Sequence, residues 1–165
     1  MFIPNPDFTG DITPFQFNIM REYMAEYNLE LGREAHFKNH PSRLNAIYLF
    51  ESSDEARHYY QVHQEHVGGR ILKRVKSVTA CIYSKHDLGW VDFLRLAHSV
   101  DTISTDNVSK AYWSGAKVED YELLSMGKRW TQPPIIEVLF LGRVEVYNRD
   151  LDCDDQYSGF ESHTQ

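Results

Sequence analysis

Cysteine is scarce in this chain. Its two cysteines, Cys81 inside an apolar run and Cys153 in an acidic stretch, make neither a disulfide framework nor a zinc pattern. A reducing, cytoplasmic setting is expected on that ground. No apolar run reaches the roughly 20 residues that a membrane-spanning helix needs, and no signal-peptide pattern opens the chain. The sequence has no P-loop, Rossmann glycine pattern, HExxH or Ser/His/Asp signature. It has no internal repeat. Basic residues also stop at Arg149, after which Asp150, Asp152, Asp154, Asp155 and Glu161 are all acidic.

That last shortage divides the charge. The net charge is −7, with 24 acids against 17 basic residues. Without the five terminal acids the balance is 19 to 17, a body close to neutral. Broad binding to duplex DNA or to an anionic membrane is therefore not expected, because it relies on many uncompensated Lys/Arg contacts. Arg70, Lys73, Arg74 and Lys76 form one local basic cluster. With 165 residues, 42% hydrophobic and 13% aromatic, the chain is long enough for one packed core. The expected organisation is a single domain over 1–148 and an acidic, disordered tail over 149–165.

Periodicity places the elements. Thr13-Pro14 offers an N-cap followed by proline at the first helical position. Phe17, Met20, Met24, Tyr27 and Leu31 then recur at steps of 3 and 4, with Ile19 and Tyr23 widening the stripe. This predicts a helix whose stripe packs into the core, weakened or ended at Gly32. His40-Pro41 closes it, since proline disfavours a helical residue before it. Leu44 to Phe50 is apolar but for Asn45 and reads as a strand buried on both faces. Ser52 and Glu55 form a capping box for a helix to about Val67, which Gly68-Gly69 stops.

Ile71 to Tyr83 reads as one long strand or two joined strands, with a bend near Ser77 and Leu72, Val75, Val78, Ala80 and Ile82 inward. Lys85-His86-Asp87 reads as polar, with Asp87 capping a helix that carries Leu88, Val91, Leu94 and Val100. Asp106 caps a short helix from Asn107 to Trp113, ended by Gly115. Residues 116–132 read as irregular or weakly helical. Strands at 134–141 and 143–147 flank Gly142. Helices and strands do not alternate strictly, so the fold class is α+β.

Three blocks, in order, resemble a known family. They are Pro41-Ser42-Arg43-Leu44-Asn45-Ala46-Ile47-Tyr48 with Asp54-Glu55-Ala56 after it, then Ala111-Tyr112-Trp113-Ser114-Gly115, then Ile136 to Val146. Gly10-Asp11-Ile12 adds a weaker block. The set resembles uncharacterised bacterial and phage proteins with an ADP-ribosyltransferase-like fold, over roughly residues 9–148. The resemblance implies two small packed sheets flanked by helices, with NAD bound in a cleft between the sheets. It also implies an arginine or histidine on the phosphate or ribose, an aromatic ring on the nicotinamide, and a glutamate beside the nicotinamide ribose. A carboxylate next to a developing oxocarbenium ion favours the transition state over the ground state.

On this resemblance Glu137 is the catalytic carboxylate, and Arg43, Tyr48, Tyr112 and Trp113 are the cofactor-binding residues. Each also has a structural reading. Strand alternation can turn Glu137 to solvent, and Arg43 can form an ion pair at a strand end. Tyr48, Tyr112 and Trp113 can be core. The family's first strand carries an aromatic–histidine pair, and that position falls at or before Met1, where Met1-Phe2-Ile3 has no histidine. His58, His63 and His66 share a predicted helix, and His63 and His66, three apart, have metal-ligand spacing with Glu55 and Glu65 near; a solvated helix face is the preferred reading, and no metal is expected. Two functions follow. One is an NAD-dependent mono-ADP-ribosyltransferase acting on a protein or nucleic acid. The other is a non-catalytic phage- or plasmid-type effector that binds and inhibits a host protein.

Overall fold

The computed structural model describes residues 14–95, 104–125, 128–129 and 133–150. Met1-Phe2-Ile3, Gly10-Asp11-Ile12, Thr13 and Val100 lie outside them, as does the acidic stretch after Asp150. In chain order the elements are α1 (Pro14–His36), β1 (Ile47–Phe50), α2 (Ser53–Val62), α3 (Gln64–Val67), β2 (Lys73–Ser77) and β3 (Ile82–Asp87). Then come α4 (Gly89–Arg95), α5 (Thr105–Trp113), a 3-10 turn (Val118–Asp120), β4 (Leu124–Ser125), β5 (Lys128–Arg129), β6 (Ile136–Leu141) and β7 (Val144–Asp150). The class is α+β with small antiparallel sheets. The chain divides into two compact units, one from Met1–Lys38 with Asp87–Pro134 and one from Asn39–His86 with Ile135–Gln165.

The first unit is largely helical. Leu29, Trp90, Val91, Tyr112 and Trp113 are fully buried there. Both of these tryptophans have a partner for the indole N–H, as a buried indole requires. Trp113 Nε1 donates to the Leu29 carbonyl at 2.6 Å and Trp90 Nε1 to the Ala116 carbonyl at 2.7 Å. Asp87 ties the α4 entry to the 3-10 turn: Oδ1 accepts from Gly89 N and Oδ2 from Val118 N, both at 2.9 Å. Ser104, rather than Asp106, caps α5, accepting from Asn107 N at 3.3 Å. Gly115 ends that helix with φ at 76°, a conformation that costs a residue with a Cβ about 1 kcal/mol or more.

The α1 helix corrects the sequence reading. Among its described positions the buried ones are Ala25, Leu29 and Gly32, while Ile19, Met20, Tyr23, Met24, Tyr27 and Leu31 are 41–56% exposed; the Phe17 side chain lies outside the described ones. Small residues let α1 approach α5 closely. A Cβ on Gly32 would lie 2.8 Å from Ser109 Cβ. Gly32 therefore does not end the helix; it makes room for its neighbour. Periodicity found the helix but selected the wrong face, because it weighs side-chain size above the fit of backbones.

The second unit carries two small sheets. One has the order β1-β6-β3, with β1 antiparallel to β6 and Phe50 opposite Glu137. The other pairs β2 with β7, antiparallel, with a register irregularity between Lys73 and Val75. Strand β1 is shorter than expected and is not buried on both faces. It lies at the sheet edge, Leu44 is 67% exposed, and Ser42 to Ala46 form a turn closed by Ala46 N donating to Ser42 O at 2.9 Å. The predicted break near Ser77 separates β2 from β3. The buried side chains that β3 gives this unit are Ser84 and His86, whereas Val78, Ala80 and Ile82 are exposed.

The capping box of α2 forms as expected, with Ser52 accepting from Glu55 N and Glu55 accepting from Ser52 N, both at 3.2 Å. The helix breaks at His63, and Gly68, at φ 55°, closes α3. Among the described residues, no helix is long and apolar enough to cross a membrane.

Candidate functional site

The Ser42–Ala46 turn sets the site. It lifts Arg43 out of the strand and folds it back over β1, so that the residue is 5% exposed. Glu137 enters from β6 and is 1% exposed. In an antiparallel pair, residues directly opposite share a face, as do residues two apart along a strand. With Phe50 opposite Glu137 and Tyr48 opposite Leu139, Tyr48 and Glu137 lie on one face of the sheet. Arg43 lies over that face. Its Nη1 donates to Glu137 Oε1 in a short, fully buried ion pair. Its Cζ is 5.2 Å from the Tyr48 ring centre, within cation–π range. The Tyr48 hydroxyl donates to the Arg43 carbonyl. Tyr48 itself stays 47% exposed.

The structure therefore brings together three of the five residues selected from the sequence: Arg43, Tyr48 and Glu137. Tyr112 and Trp113 lie in the first unit, where both are fully buried and meet edge to face at 4.8 Å between ring centres. Their rings are core. Glu137 is not on a solvent face, despite its place in an alternating strand. A buried carboxylate is costly unless it is paired, and Arg43 supplies the partner.

Further polar groups of the second unit escaped the sequence reading. His86 is 1% exposed and Ser84 9%, and His86 Nε2 lies 2.7 Å from Ser84 Oγ. The His40 ring centre lies 5.6 Å from that of His86. Ser84 and His86 are two apart on β3 and so share a face. The sequence reading ends the strand at Tyr83 and takes Lys85-His86-Asp87 as polar, so it places neither residue in the interior. Arg43, Ser84, His86 and Glu137 are thus four buried polar residues of this unit, and buried ionisable groups are candidates for a functional site.

Of the helical histidines, His63 ends α2 with its ring centre 4.5 Å from that of Tyr59. Among the described residues, no group of three His, Cys, Asp or Glu side chains is arranged to hold a metal ion. In the first unit an open cavity of about 540 Å³ is lined by His36, Phe37, Asn107, Lys110, Ala111, Ser114 and Tyr121. It lies along the outer side of α5, whose inner side carries Tyr112 and Trp113.

A family model described as "Protein of unknown function (DUF2441)" matches residues 9–152. The chain belongs to this family. The DUF2441 match includes Arg43, Tyr48, Tyr112, Trp113 and Glu137. No curated protein and no solved structure matches the chain.

Proposed function

We propose that Arg43, Tyr48 and Glu137 form the nucleotide site of an NAD-dependent, ADP-ribosyltransferase-like protein. The observation behind this reading is the Arg43–Glu137 pair itself. The two residues are 94 positions apart and meet over one face of the sheet that carries Glu137. A buried ion pair adds little stability over apolar residues of the same volume, which leaves room for a ligand role beside a structural one. An anionic diphosphate competes with Glu137 for the Arg43 guanidinium, whose planar fork suits phosphate oxygens. Glu137, released from Arg43, then accepts a hydrogen bond from the nicotinamide ribose and stabilises the positive charge that develops as nicotinamide leaves. Tyr48, half exposed beside Arg43, offers a ring face to the nicotinamide. Tyr112 and Trp113 have no part in this reading because their rings are closed into the core.

The experiment is a labelled-NAD transfer and glycohydrolase assay on wild type and Glu137→Gln. Gln keeps an oxygen for Arg43, so the fold is expected to survive, and circular dichroism checks this. Turnover in wild type that falls by about 100-fold or more in the variant supports the mechanism. Unchanged turnover removes Glu137 from it.

The non-catalytic effector is the second reading, and the closure of the same pair favours it. Arg43 and Glu137 are engaged with each other and shielded from solvent, so the sheet face is filled. Tight binding of a host protein by a chain that takes up no NAD would decide for this reading.

A further inference from the structure

The outer face of α1 is the least explained surface of the molecule. Met20, Met24, Tyr27 and Leu31 follow one another at steps of 4, 3 and 4, and Ile19 and Tyr23 flank them. All six are 41–56% exposed. The helix does not need this face for its own unit, because Ala25, Leu29 and Gly32 already bury the opposite side, and Gly32 sits against Ser109 of α5. Alternating steps of 3 and 4 are the seam of a coiled coil, and that spacing fits another helix better than a flat surface. We propose that α1 docks on the α1 of a second copy of this chain, across a two-fold axis.

Three observations select a like copy. The seam is self-complementary. An antiparallel pairing centred between Ala25 and Glu26 sets Met20 against Leu31 of the partner subunit and Met24 against Tyr27 of the partner subunit, so each layer is apolar on both sides. The acids along α1 have arginine neighbours in their own unit, although Glu34 stays exposed and Glu22 partly exposed. Arg33 Nη2 is 2.7 Å from Glu30 and 3.9 Å from Glu34, and Arg95 reaches Glu22 at 2.6 Å and Glu26 at 3.8 Å. Two arginines thus moderate the charge of four glutamates that flank the seam, and the seam positions themselves, Met20, Met24, Tyr27 and Leu31, are uncharged. The area is also sufficient. A large aromatic side chain presents roughly 150–250 Å² and an aliphatic one less, so about half of each of the six side chains gives on the order of 500 Å² per chain. A pair then buries about 1,000 Å², near the lower limit for a specific interface. The dimer is accordingly a reversible one whose population rises with concentration.

Sedimentation of the full chain under reductant tests this; the reductant prevents linkage through the exposed Cys81. Wild type is expected to move from the 19.3 kDa chain mass toward twice that mass across a concentration series. Met24→Gln combined with Leu31→Gln is expected to stay monomeric, with unchanged circular dichroism, because Gln is a good helix former at an exposed site. The corresponding Glu pair gives a second, more repulsive variant. A wild type that remains monomeric throughout, including one whose seam is used by some other protein, overturns the proposal. A dimer that persists in both folded variants overturns it too.

Discussion

Arg43 and Glu137 bear most of the weight among individual residues. Their pair is buried on both sides, so removing one partner strands a charge. Glu137→Ala is expected to cost about 3–5 kcal/mol in urea unfolding, because the Arg43 guanidinium stays inside without its carboxylate. Replacing both, Arg43→Met with Glu137→Leu, is expected to be much milder than either single change. If the double change costs as much as the sum of the singles, the pair does not act as a unit. Part of this was legible in the sequence. Glu137 is the lone charge in an apolar run, and Arg43 follows a turn signal. Their meeting was not legible, since it depends on β1 and β6 being neighbours. Ser84 and His86 escape the sequence reading because it ends the strand at Tyr83 and takes Lys85-His86-Asp87 as polar, whereas β3 runs to Asp87 and buries both side chains.

Among elements, α1 and α5 approach each other closely at one glycine. Gly32→Ala brings a methyl group onto the Ser109 side chain and is expected to destabilise by about 1–3 kcal/mol, the cost of overpacking. Removing the obstruction with Ser109→Gly in the Gly32→Ala background is expected to recover part of that loss in thermal unfolding. The α2 cap is smaller and local: Ser52→Ala is expected to cost about 1 kcal/mol, since it leaves Glu55 N without its acceptor. On α5, the hydrogen bond from Lys110, 2.7 Å away, holds the Asp106 carboxyl below its ordinary value. A depressed carboxyl contributes stability above its unfolded value and loses it as pH falls through the folded one. An NMR titration of Asp106 is expected to move up toward the ordinary range in Lys110→Ala; an unmoved titration would show that Lys110 is not the cause. Local chemistry of this kind was readable, as the α2 capping box shows. The face that α1 buries was not, because a close helix pair prefers small residues where a periodicity count prefers large ones.

For the whole molecule, the α+β class and most of the element order could be read from the sequence, because turn residues punctuate it; the short strands β4 and β5 fall in a stretch that reads as irregular or weakly helical. The division into two units could not, since each is assembled from segments far apart in sequence. Membership in the DUF2441 family covers nearly all of the chain and adds no activity of its own. Charge does make a molecular prediction: with 17 basic residues against 24 acids, the chain is expected not to retard duplex DNA in a gel shift at physiological salt. The central claim is that Arg43 and Glu137 hold a dinucleotide. Calorimetric titration of NAD into the full chain tests it most directly. Saturable one-to-one binding is predicted, weakened about tenfold in Arg43→Lys by the loss of one charge-assisted hydrogen bond. No heat of binding in a folded wild type, or equal affinity in the variant, contradicts it.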